Sequence, residues 1–159
     1  MNYNKNDLIK FQILSLLTLL VPINIYVIGN YYGAGVQFAV FRYQESYLGS
    51  IFITFFRDIN YVLNGTITNK SAISIFIWFF GVIFLILAIC LILILNDKNN
   101  KIQNSGIFII LAAIFFLLSL IIQYGPLLSG PAGTTIPIGI PVLIIIGLYI
   151  FKGLSPKKG

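Results

Sequence analysis

Residues 73–95 read ISIFIWFFGVIFLILAICLILIL, 23 positions without Asp, Glu, Lys, Arg or His. An uncharged apolar stretch of about 18 or more residues reads as a transmembrane helix. Three further runs share the pattern: residues 11–28, 107–122 and 136–151. The last two have 16 residues each, and neutral flanks lengthen them to 106–124 and 134–151. The reading predicts an all-α membrane protein: four transmembrane helices in one polytopic domain, residues 1–159. Its spans lie at about 11–28, 73–95, 106–124 and 134–151, with an aromatic-rich outer segment at 29–72 between the first two.

Composition supports this. The chain is 58% hydrophobic and 9% charged, against about 25% charged residues in a soluble domain. The net charge of +6 does not indicate nucleic acid, because the basic residues flank the spans and do not gather on one face. Cys90 stands alone, so no disulfide forms within the chain. The absence of His removes the commonest metal ligand and the usual axial ligand of membrane haem. No cofactor is expected. The first run is too long for a signal-peptide core, which has about 7–15 residues, and is expected to remain uncleaved.

Lys and Arg near membrane ends set orientation. Four spans place Lys5, Lys10, Lys98, Lys101, Lys152, Lys157 and Lys158 on one side, against Arg42, Arg57 and Lys70 on the other. Both termini and the polar loop 96–105 are therefore expected in the cytoplasm of a cell-membrane protein, with residues 29–72 outside. Gly125-Pro126 and Gly130-Pro131 mark turns in the second outer loop.

The outer segment is not hydrophilic, so it is expected to pack. Residues 36–43 loosely alternate, as a strand does. Leu48, Ile51, Phe52, Phe55, Ile59, Val62 and Leu63 recur at spacings of three and four, as on a helix, with an end at Asn64-Gly65. Leu48, Phe52, Phe55 and Ile59 form the candidate partner-docking face. Pro22, Asn24, Gln123, Pro137 and Pro141 are the candidate polar or kink positions within the membrane. Each has a plain structural reading as a bend or a helix contact. Arg42 with Glu45, and Arg57 with Asp58, are the outer acid–base neighbours and read as solvated charges. Asn64 and Asn69 open N-glycosylation acceptor triplets on the expected outer side. Trp78 fits an aromatic belt, and Cys90 a small apolar position.

In outline the layout is similar to four-span proteins with a large first outer loop, such as the claudin-like proteins. Those carry a Trp-rich motif and a Cys pair in that loop. Residues 29–72 hold neither Trp nor Cys, so no family is assigned.

No nucleophile–base set, metal cluster or carboxylate pair appears, so no enzyme is expected. The spans also lack the ionisable residues of proton relays and ion paths. The expected function is a non-catalytic accessory subunit of a larger membrane complex, with respiratory or other energy-converting assemblies as candidates. Its expected partners are the lipid bilayer and other membrane subunits. The alternative is a small homo-oligomeric transporter or channel for a neutral solute or ion, using Asn24, Ser119, Gln123 and the backbone near Pro137 and Pro141.

Overall fold

The computed structural model describes residues 5–29, 32–94 and 99–152. In chain order these form α1 (Lys5–Leu17), β1 (Asn24–Ile28), β2 (Gly33–Gln37), β3 (Phe41–Ser46), β4 (Gly49–Thr54), α2 (Phe55–Leu63), α3 (Asn69–Ile94), α4 (Asn99–Tyr124), β5 (Ser129–Gly130), β6 (Gly133–Ile136) and α5 (Gly139–Lys152). The strands make one antiparallel sheet in the order β4-β3-β2-β1-β6-β5.

The all-α, four-span expectation is therefore overturned. The described chain has five helices and a six-stranded sheet, and two of those helices, α3 and α4, are long and apolar enough to cross a membrane. At 26 residues each they extend about 39 Å.

The other two apolar runs divide at prolines. After α1 the chain tightens into bonds three residues long, from the amides of Thr18, Leu19 and Leu20 to the carbonyls of Ser15, Leu16 and Leu17. Pro22 has no N–H, and it pushes the residue before it away from helix. Asn24-Ile25-Tyr26-Val27-Ile28 then follows, rich in β-branched and aromatic residues that suit a pleated surface. The run 134–151 divides in the same way at Pro137. β6 ends at Ile136, and α5 begins at Gly139, whose amide donates to the carbonyl of Ile23 at 2.9 Å. Pro141 sits in the first turn of α5, where a missing amide matters least.

Residues 48–63 likewise divide. Gly49 at φ +113° lets the chain reverse after Tyr47 and Leu48, so β4 pairs back on β3 with Ser46 opposite Gly49. The helical stripe begins only at Phe55. α2 ends where the sequence indicates: Gly65, at φ +70°, donates to the carbonyl of Val62 at 3.0 Å. Residues 36–43 are not one strand: they span the end of β2, the bend 38–40 and the start of β3, with the Phe38 amide donating to the Phe41 carbonyl at 2.8 Å.

α3 and α4 form an antiparallel hairpin. Ser74 and Ser119 bridge it near the sheet, each hydroxyl reaching the other residue's carbonyl at 3.1 and 2.8 Å. Farther along, the Ser105 hydroxyl donates to the Ala88 carbonyl at 2.8 Å. α5 packs on α4 where Gly106 meets the backbone of Gly147 and Phe151, a close approach that small residues permit. α1 joins through Phe11, whose ring lies edge-on to Tyr149 at 5.9 Å. Leu85, Ile109, Phe116, Leu143 and Ile150 are fully buried in this core. The sheet thus caps one end of the helices. The end of α5 lies by the start of α4, at the opposite end.

Candidate functional site

Where the sheet meets the helices lies a partly open cavity of about 230 Å³. Its sheet side is made by Gln37, Ala39, Phe41 and Arg42. α2 closes one flank with Phe55 and Asp58. The outer turns of α3 and α4 supply Ser71, Trp78, Gln123 and Tyr124.

Arg42 stands at the start of β3, opposite Gln37 on β2 and Ile53 on β4. The β3–β4 hairpin returns the chain so that α2 begins beside this position. Asp58, in the first turn of α2, then meets Arg42: Nη2 donates to Oδ1 at 2.7 Å. The partly buried pair is a charge-assisted bond in a poorly hydrated place. Burial raises the Asp58 carboxyl above its ordinary value, outweighing the opposing pull of the Arg42 guanidinium and of Arg57. The buried Nε of Arg42 has no hydrogen-bond partner.

Beside this pair the inner face of the sheet is polar. Tyr26 crosses β2 over Gly35, where any Cβ would meet the ring, and its hydroxyl lies 3.3 Å from Gln44 Oε1. Burial raises the Tyr26 phenol above its usual value. Asn24 is fully buried; its Nδ2 donates to Thr135 Oγ1 at 2.8 Å, while its Oδ1 has no partner. Thr135 in turn donates to the Ile25 carbonyl at 3.1 Å. Trp78 donates its indole N–H to the Ala39 carbonyl at 2.9 Å, and its ring packs on Phe116 at 4.4 Å.

Gln123 lines the cavity. Asn24 is not part of the lining and instead ties β1 to β6 through Thr135. Pro22 and Pro137 are the breaks that release β1 and end β6, and Pro141 opens α5. The candidate docking residues are not on one helix. Leu48 projects at the β3–β4 turn and Phe52 stands half-exposed on β4. Phe55 is buried and stacks on Phe79 at 5.6 Å, and Ile59 packs against the core. Asn64 and Asn69 are exposed at the ends of α2 and α3.

The Arg42–Asp58 pair was not legible in the sequence, which offered Glu45 and Arg57 as neighbours. Arg57 instead bonds the Tyr61 hydroxyl one turn on, through Nε, and lies over that ring. The pair joins residues 16 apart through a hairpin, and no local spacing marks it.

Comparison with known protein families, with curated proteins and with solved structures gives no match. Among the described residues, no group of three or more His, Cys, Asp or Glu side chains could hold a metal ion.

Proposed function

We propose that this chain is a non-catalytic integral membrane protein, an accessory subunit of a larger membrane assembly that docks its partner along the β4 edge of the sheet. The observation carrying this reading is that the edge is bare. β4 is an outermost strand, and its sequence Gly-Ser-Ile-Phe-Ile-Thr has no charge and no proline. Natural sheets protect such edges with charge, proline, bulges or a covering element. Here Ile51 and Phe52 are exposed on the strand, and Tyr47 and Leu48 at its turn are 77% and 81% exposed. A partner chain offering an extended apolar segment would add a seventh strand. Backbone bonds would supply affinity and the aromatic side chains specificity. The opposite edge, β5, is two residues long and offers little for such pairing.

The membrane placement rests on α3 and α4, whose outward faces carry Phe76, Phe80, Ile86, Leu87, Ile114 and Leu118. In this reading the protein lies in the cell membrane with the sheet outside. Both chain ends and the connection between α3 and α4 face the cytoplasm, where the lysines gather.

The test is the double variant Leu48→Lys with Phe52→Lys, which leaves the buried Phe55 intact. Lysine on an edge opposes strand addition. Complexes isolated from native membranes in mild detergent should lose their co-purifying subunits, while the variant still inserts. Retention of every partner at wild-type stoichiometry would remove the β4 edge as the docking element.

A further inference from the structure

We propose that the cavity between the sheet and the helices binds a small zwitterion, with its anionic group at the Arg42 guanidinium and its ammonium group at Asp58. Four observations converge. The first is space. About 230 Å³ is far more than one water needs, and it suits a compact polar molecule.

The second is unsatisfied hydrogen bonding. The Arg42 Nε–H is buried without an acceptor. That atom is shielded from the free space, so the groups left to a ligand are the rest of the guanidinium and the polar lining. Asp58 has Arg42 as its side-chain partner through one carboxylate oxygen. Among the described residues, no hydrogen bond engages the side chains of Gln37, Ser71, Gln123 or Tyr124, which line the same space.

The third is charge. One guanidinium and one carboxylate share the cavity, so the lining is neutral as a whole. A lone anion would face Asp58, and a lone cation would face Arg42. A molecule carrying both charges answers both.

The fourth is the walls. Phe41, Phe55 and Trp78 share the lining with the polar pair, so the apolar part of a small ligand has a surface to pack on. A free small amino acid and the ethanolamine headgroup of a phospholipid share this chemistry. The cavity sits at the sheet end of α3 and α4, so either source reaches it.

The experiment uses the purified full-length protein. Binding of L-alanine is measured by calorimetry in detergent. Thermal stability is measured in nanodiscs of phosphatidylethanolamine and of phosphatidylglycerol. Acetate and ethylammonium are the single-charge controls. Alanine binding, or a higher melting temperature in phosphatidylethanolamine than in phosphatidylglycerol, supports the site; the first identifies a soluble ligand and the second a lipid headgroup. Arg42→Gln and Asp58→Asn should each weaken binding about ten- to a hundredfold, as lost charge-assisted bonds do. Gln123→Leu removes a lining group that holds nothing else in place, so it should fold normally and still weaken binding. Equal binding of acetate or ethylammonium overturns the proposal. So does the absence of binding and stabilisation in the wild-type protein, or undiminished binding in Gln123→Leu together with Asp58→Asn.

Discussion

Trp78 on α3 donates its indole N–H to the backbone carbonyl of Ala39, 39 residues earlier, at 2.9 Å. The bond ties the bend between β2 and β3 to the helix hairpin. Both residues are buried, so the carbonyl has no water to turn to. Trp78→Phe keeps an aromatic ring against Phe116 but leaves that carbonyl unsatisfied. A loss of about 1–3 kcal/mol is expected, read as a lower unfolding midpoint in detergent with helix content unchanged.

Ser74 and Ser119 hold α3 and α4 together through reciprocal bonds at 3.1 and 2.8 Å. Hydrogen bonds between membrane helices average about 0.6 kcal/mol, with a maximum near 1.7. Ser74→Ala or Ser119→Ala alone should therefore destabilise modestly. The double variant should cost less than the two single costs added, because both remove one shared network. Strict additivity in a double-mutant cycle would show that the bonds act independently.

Asp58 gives a pH dependence whose sign is fixed by burial. Its carboxyl is raised above the ordinary value of 3.8 in the folded protein. A raised carboxyl contributes stability that is fully present below the unfolded value and is lost as pH rises through the folded value. Between those two values the folded state binds more protons than the unfolded one, so stability falls as pH increases. Asp58→Asn removes this contribution. The difference in unfolding midpoint between wild type and Asp58→Asn should shift against the wild type as pH rises across that window. A difference that stays flat, or changes the other way, would contradict the burial argument.

Orientation is tested by labelling. In a Cys90→Ala background, a cysteine at Thr68, in the exposed link between α2 and α3, should react with an impermeant thiol reagent on intact cells. Cysteines at Asn99 and Lys157 should react only after permeabilisation. Outside labelling at Asn99 would reverse the proposed placement of the sheet.

Much of the helical part was legible in the sequence. The 23 uncharged residues at 73–95 and the run at 106–124 correspond to α3 and α4. The cap at Gly65 was legible too, because it follows from local chemistry. The sheet was not. In β1 burial alternates but polarity does not, since Ile25 is exposed while Asn24 and Tyr26 are buried, so Asn24–Ile28 reads like the last turns of a membrane helix. Leu48, Phe52 and Phe55 fit a spacing of three and four, yet Leu48 lies in a turn, Phe52 on a strand and Phe55 on a helix. Spacing over so few residues does not separate the two periods.

By itself the sequence determined that the runs at 73–95 and 106–124 are long apolar helices and that a helix stops at Asn64-Gly65; in it Pro22 and Pro137 read as bends inside two further spans, which the structure does not have. Those are local matters of hydropathy, missing amides and glycine conformations. Tertiary structure alone decided that Pro22 and Pro137 mark the entry into and the exit from a sheet. β1 pairs with β2 on one side and, on the other, with β6, more than a hundred residues away, with Tyr26 opposite Thr135, and these pairings satisfy the backbone groups which the broken helices leave open. It likewise decided the candidate site. Arg42 meets Asp58, and both face Gln123 across one cavity, because a hairpin and a helix pair carry them there. A contact between residues so distant in sequence has no period or motif to announce it.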